Sequence, residues 1–173
     1  LNLFSKDAPA LSALAIALLA FATIAGAWGF QWAGYPPCDL CLEQRYAYYA
    51  GVPLALMIAA AAAAKAPRAA LTAGFALLTA MFLYNAGLAI YHSGVEAKYW
   101  AGPTACTGGA LAPAGGDLLK QLETVKVVRC DEVGLRVFGL SLANWNILIS
   151  AALAALSAVS GLRAGRQSGR GRE

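Results

Sequence analysis

Polar residues are spread unevenly along this chain. Four long apolar stretches, at about 10–30, 42–64, 69–91 and 143–162, are separated by short breaks that gather most of the charge. A helix needs about 20 apolar residues to cross a hydrocarbon core ~30 Å thick at ~1.5 Å per residue, and each stretch meets that length. The first carries no charge, and in the second Glu43 and Arg45 stand at the start, with Pro53 as a candidate kink. Alanine runs such as Ala59 to Ala64 favour helix. Gly26, Gly29, Gly51, Gly74 and Gly87 leave room for close helix approach. The pattern predicts an all-α membrane protein: one domain over residues 1–173, an antiparallel bundle of four transmembrane helices.

Composition supports this reading. Of 173 residues, 60% are hydrophobic and 13% charged, about half the charge of an ordinary soluble domain. The net charge of +4 could suggest a nucleic-acid partner, but the basic residues sit at chain ends and in short turns. No nucleic-acid partner is expected; the lipid bilayer is. Ala25-Gly26-Ala27 has the look of a signal-peptide cleavage site, yet the apolar run before it is too long for a signal sequence.

Four spans put both ends of the chain on one side. That side holds Lys6, Lys65, Arg68, Arg163, Arg166, Arg170 and Arg172 against only Asp7 and Glu173, which marks it as cytoplasmic. The basic tail then reads as a topology anchor that touches anionic lipid. Two loops, about 31–41 and 92–142, lie outside. Trp28, Phe30, Trp32, Tyr35, Tyr46, Tyr48, Tyr49, Tyr91, Tyr99, Trp100 and Trp145 gather at that outer boundary, as an interfacial belt does. Within the long loop, Thr107 to Gly116 is rich in Gly, Pro and Ala. Asp117 to Val125 then aligns Leu118, Leu119, Leu122 and Val125 on one helical face, with Asp117 as N-cap. This is a short amphipathic helix, suited to the outer leaflet or to the top of the bundle.

All four cysteines fall on the outer side: Cys38 and Cys41 as C-x-x-C at the mouth of the second span, Cys106 and Cys130 in the long loop. Disulfides persist outside the cytoplasm, so both pairs could be permanent staples. The C-x-x-C fits that reading less well, because such closely spaced pairs recur where thiols exchange. After Pro36-Pro37 the helix starts at Cys38 or Asp39, placing Cys41 in the first turn, where free N–H groups and the helix dipole favour a thiolate. Asp39 could cap the helix, though its charge opposes a thiolate. Arg45 lies one turn beyond Cys41 on the same face. It either snorkels, pairs with Glu43, or supports an anion such as a thiolate or a ligand oxygen. His92, at the outer end of the third span, is either a proton donor or acceptor or a merely solvated side chain. Structural zinc sites draw on two close ligand pairs, and here the second pair is far apart, so no metal is expected.

The chain resembles the disulfide bond formation protein B (DsbB) family of bacterial inner-membrane thiol:quinone oxidoreductases. The resemblance rests on Pro37-Cys38-Asp39-Leu40-Cys41-Leu42-Glu43-Gln44-Arg45 and on Phe138-Gly139-Leu140-Ser141-Leu142-Ala143-Asn144-Trp145. His92-Ser93-Gly94-Val95-Glu96 and the Trp100, Gly102-Pro103 and Cys106 pattern add to it, within a matching four-span plan. It implies a bacterial inner-membrane location with periplasmic cysteines. It also implies reoxidation of a soluble periplasmic thiol oxidase of the DsbA type, with electrons passing to a membrane quinone, ubiquinone or menaquinone. In that scheme Cys106 receives the partner's thiolate and Cys130, once freed, attacks Cys38. Cys41 is left as a thiolate facing the quinone, which Arg45 and, less firmly implied, His92 help to bind. Two other readings stand beside it: a quinone-linked enzyme resembling vitamin K epoxide reductase, whose C-x-x-C sits near its last spans, and a non-enzymatic four-span protein with structural disulfides.

Overall fold

A computed structural model describes residues 8–103 and 128–166. Its frame is four helices, α1 (Ala8–Trp32), α2 (Asp39–Ala63), α3 (Arg68–Glu96) and α4 (Leu142–Arg166), with a two-stranded hairpin, β1 (Arg136–Val137) and β2 (Leu140–Ser141), leading into α4. All four helices are long and apolar enough to cross a membrane. Even the 25-residue ones reach about 37 Å at the helical rise. Successive helices run antiparallel. The most extensive packing is of α3 on α4 and of α1 on α2, while α1 meets α4 along a shorter line.

The turns explain how short connections reverse such long helices. At the end of α2, Lys65 adopts a left-handed φ of 57°. Its N–H reaches Ala62 O at 3.0 Å, and the Ala66 N–H reaches Ala61 O at 2.9 Å. That double closure satisfies carbonyls that lipid could not, and Pro67 then starts α3. The α1 terminus closes the same way around Gly34 (φ 96°) and the α3 terminus around Lys98 (φ 62°). In the hairpin, Phe138 and Gly139 both have positive φ, 51° and 83°. This is the two-residue turn whose twist matches antiparallel strands.

Side chains inside the bundle are mostly small. Ala13, Ile16, Ala17, Ala20 and Ile24 of α1 meet Tyr48, Ala55 and Ile58 of α2, and Phe75, Leu78 and Phe82 of α3 fill the centre with Leu153 and Ala154 of α4. Gly161 lets α4 close on Phe75, and Gly74 accepts Ile58. Large apolar residues such as Leu18, Met57, Leu77 and Leu162 point outward, as a lipid-facing surface requires. Packing of this kind replaces the hydrophobic effect, which offers helices little inside a bilayer.

Three sequence expectations change. The third helix continues five residues past the expected end, so His92 to Glu96 is helical rather than loop. The hairpin was not expected; its strands are two residues each, too short for any alternating pattern to register. Tyr48 is buried and faces the bundle interior instead of joining an interfacial belt, whereas Trp32, Tyr46 and Tyr99 are exposed as expected. The amphipathic stretch 117–125 and Cys106 lie outside the described residues.

The α2–α3 contact gives a direct test of small-residue packing. A Cβ at Gly51 would stand 2.8 Å from the Phe82 ring, which is fully buried. Gly51→Ala is expected to lower stability by about 1–3 kcal/mol despite its higher helix propensity. Gly51→Ala combined with Phe82→Leu should recover part of that loss, read as thermal midpoint in detergent.

Candidate active site at the cysteine end of the bundle

The chain turns sharply after Pro36-Pro37, and Cys38 takes an extended conformation (φ −80°, ψ 171°) as the N-cap of α2. Its sulfur, not the Asp39 carboxylate, accepts the Cys41 N–H at 3.3 Å; Asp39 is the first helical residue. The spacing that makes a capping contact also brings the two sulfurs to 2.7 Å, as a pair of free thiols. A modest rotation closes this pair to a disulfide. The hydrogen bond to the Cys41 sulfur, with burial adding to it, pushes the Cys38 thiol far above its usual range. Cys38 is buried and Cys41 half-buried.

Cys130 enters from the segment before the hairpin. It is fully buried and disulfide-bonded, and it packs in one small cluster with Cys38, Leu40 and Val95. Just beyond it, Asp131 is held by Arg129 at 2.9 Å and by Lys98 from the end of α3. Those two cations hold its carboxyl well below the usual carboxylate range. This clamp ties the Cys130 segment to the top of α3 and so to the C-x-x-C.

Beside the cysteines a cavity of about 400 Å³ opens between α1 and α4, a size typical of small-molecule sites. Phe30, Tyr35, Cys41, Arg45, His92 and Trp145 are among its walls. Trp145 is fixed by its indole N–H on Val137 O at 2.9 Å, so the hairpin holds one wall of the cavity. Arg45 resolves the alternatives left open by sequence. It neither snorkels outward nor pairs with Glu43: it is buried and turned toward α1, donating to Gln31 Oε1 at 2.7 Å and to Ala27 O at 3.4 Å. Among the described residues no carboxylate lies within ion-pairing distance of it. A buried guanidinium satisfied only by neutral acceptors retains its full charge toward the cavity.

His92 is buried rather than solvated. Its Nε2 lies 3.6 Å from the Cys38 sulfur, and its Nδ1 is 2.9 Å from Gln44 Nε2. The sulfurs of Cys38 and Cys41 and a ring nitrogen of His92 fall within 4.8 Å of one another, a trio with soft-metal donor chemistry. Sequence spacing hid it, because His92 belongs to a different helix. A histidine that ligates a metal normally gives its other N–H to an acceptor, whereas here Nδ1 faces an amide nitrogen.

Sequence reasoning missed the polar side chains behind this cluster. Gln44 accepts from Asn146, Asn146 accepts from Tyr48, and Tyr48 and Asn85 meet at Ser150. Ser93 donates to Asn144, and Ser141 Oγ donates to Glu96 while accepting the Asn144 N–H at 3.2 Å. A signal was available, since amides inside apolar spans are costly unless partnered. Only the fold, however, selects the partners.

The arrangement combines a dithiol that can open and close, a second buried disulfide cysteine packed against it, and an apolar cavity with one buried cation. It is suited to thiol–disulfide exchange beside a small-molecule cavity. No curated protein and no solved structure matches the chain. The family described as "Disulfide bond formation protein DsbB" matches residues 9–160, which reaches from the start of α1 to the last turns of α4 and takes in the whole site. The chain belongs to the DsbB family of multi-pass membrane oxidoreductases, whose members are in general disulfide-forming thiol:quinone oxidoreductases.

Proposed function

We propose that this protein reoxidises a DsbA-type soluble thiol oxidase on the periplasmic side of a bacterial inner membrane, passing two electrons through its two cysteine pairs to a membrane quinone. The observation that carries this reading is the burial of Cys130 against Cys38 beside a cavity that holds both Cys41 and Arg45.

That packing supports the exchange that the family resemblance implies. A partner thiolate attacks the Cys106 sulfur of a Cys106–Cys130 disulfide, and Cys130 leaves with the electron pair. The Cys130 thiolate then attacks Cys38 in the oxidised C-x-x-C. A Cys130–Cys38 bond forms, the Cys38–Cys41 bond breaks, and Cys41 departs as a thiolate. The first turn of α2 favours that charge on Cys41, and Arg45 one turn further on presents a permanent cation to the same cavity. A quinone bound there would supply the two-electron sink that a strongly oxidising thiol partner, at about −120 mV, demands. The cavity fits such a group: Phe30 and Trp145 line it with aromatic surface suited to a flat ring, and the Arg45 charge suits a carbonyl oxygen. The oxidation chemistry belongs to the quinone, while the chain orients it and keeps the ring beside the thiolate. The lipid-facing surface allows a ring with an apolar tail to enter from the bilayer.

Purified protein in detergent, given a reduced DsbA-type partner and a quinone, should reduce the quinone. Cys41→Ser and Cys106→Ser should each bring turnover to background. No turnover by the wild type, with a partner and quinone active toward a known relative, would move the weight to permanent structural disulfides.

Arg45→Ala should raise the KM for quinone by roughly ten- to a hundredfold, the range of a lost charged hydrogen bond. Arg45→Lys should recover part of the loss, since it keeps the charge but not the fork. An unchanged KM in both variants would assign Arg45 to helix packing alone.

A further inference from the structure

The buried polar side chains behind the C-x-x-C have a common direction. Asn85 Nδ2 donates to Ser150 Oγ at 2.9 Å, and Ser150 Oγ lies 3.1 Å from the Tyr48 hydroxyl. Tyr48 donates to Asn146 Oδ1, which leaves Asn146 Nδ2 to donate to Gln44 Oε1. Gln44 is then oriented with its Nε2 toward His92 Nδ1, at 2.9 Å. Each amide has one donor end and one acceptor end, so fixing one fixes the next.

The far end of the chain sets the same polarity independently. Among the described residues, the groups beside His92 Nε2 are acceptors: the Cys38 sulfur at 3.6 Å and the Glu96 carboxylate at 3.9 Å. A sulfur that is in a disulfide, is ionised, or gives its proton to Cys41 can only accept from the ring. Both ends therefore require a proton on Nε2 and none on Nδ1. Gln44, Tyr48, Asn85, Ser150 and His92 are buried and Asn146 is half-buried, so reversing a link would leave an amide poorly partnered.

We propose that the relay Asn85–Ser150–Tyr48–Asn146–Gln44 fixes His92 as its neutral Nε2–H tautomer and so makes it a standing hydrogen-bond donor to the Cys38 sulfur. Gln44, Asn146, Tyr48 and Ser150 are positioning residues that act through His92. The histidine does not serve as the base that removes the Cys38 proton. Its use rests on the exchange scheme proposed above. When a thiolate attacks the Cys130 sulfur of a Cys38–Cys130 disulfide, the new bond forms at Cys130, the old one breaks, and the electron pair stays on Cys38. At that moment the His92 N–H and the Cys41 N–H, the latter at 3.3 Å, both point at the sulfur gaining charge.

His92 is the only histidine in the chain, so protein labelled with ¹⁵N-histidine gives one pair of ring signals. The wild type in detergent should show a protonated Nε2 and a lone pair on Nδ1 across neutral pH. An Nδ1–H tautomer or an imidazolium there would overturn the proposal. Gln44→Glu replaces the donor on Nδ1 with an acceptor and should place a proton on Nδ1. Tyr48→Phe removes the closer of two hydroxyl donors to Asn146 Oδ1, the other being Ser150 Oγ at 3.3 Å, and should shift the ring toward a mixture of tautomers. In a Cys41→Ser background, Tyr48→Phe should also slow iodoacetamide alkylation of Cys38 roughly three- to tenfold, the worth of one net hydrogen bond. The exposed Tyr84→Phe should change neither readout. An unchanged tautomer in both relay variants, with unchanged alkylation in Tyr48→Phe, would reduce the network to structural support. The tautomer is read without quinone or partner. An Nε2–H ring in a protein that fails to reduce quinone leaves the relay standing and removes the quinone reading; turnover with an Nδ1–H ring does the reverse.

Discussion

The site depends on one constraint, that backbone polar groups inside a bilayer must be satisfied within their own helix. Only helix ends escape it, and the first turn of α2 has spare N–H groups at the cysteine end of the bundle. Cys38 occupies the cap and takes one of those donors with its sulfur. Cys41, three residues on, inherits the rest of the first turn and the positive end of the helix dipole. The reactive pair is therefore part of how the helix begins. A hydroxyl or carboxylate cap would satisfy the same donor without redox chemistry.

Around that terminus the fold gathers groups that lipid would otherwise reject. Arg45 turns inward to Gln31 and the Ala27 carbonyl and has no carboxylate partner among the described residues. The amides of Gln44, Asn85 and Asn146 are joined through Tyr48 and Ser150 into one connected set. Each group is costly alone in an apolar medium, and each becomes tolerable because its neighbour is complementary. Such networks carry information as well as stability, since the direction of every hydrogen bond is set by the next. The cavity beside them is walled by aromatic rings and opens where α1 and α4 pack over a shorter line.

Much of this was legible in the sequence for a physical reason: crossing a membrane imposes a one-dimensional requirement. The apolar lengths located all four helices, and the C-x-x-C after Pro36-Pro37 located the start of α2. The end of α3 was not legible, because His92-Ser93-Gly94-Val95-Glu96 looks polar along the sequence. In the structure His92, Gly94 and Val95 are buried, with Trp100 folded back over Gly94. Tyr48 read as one more interfacial aromatic because periodicity cannot say which face of α2 points inward when both faces are apolar. The hairpin was invisible, since two-residue strands carry no period.

The sequence by itself determined the number of helices, the class of chemistry open to four cysteines, and the place of Cys41 in the first turn of α2, because these follow from composition and from spacing within a single helix. Only the tertiary structure decided which groups meet across helices: Cys130 against Cys38, His92 between Cys38 and Gln44, Arg45 against α1 rather than Glu43, and Asn146 between Gln44 and Tyr48. Those meetings are fixed by the rotation and close approach of helices whose surfaces are apolar all round. Small-residue packing sets that rotation, and it leaves no period in the chain from which it could be read.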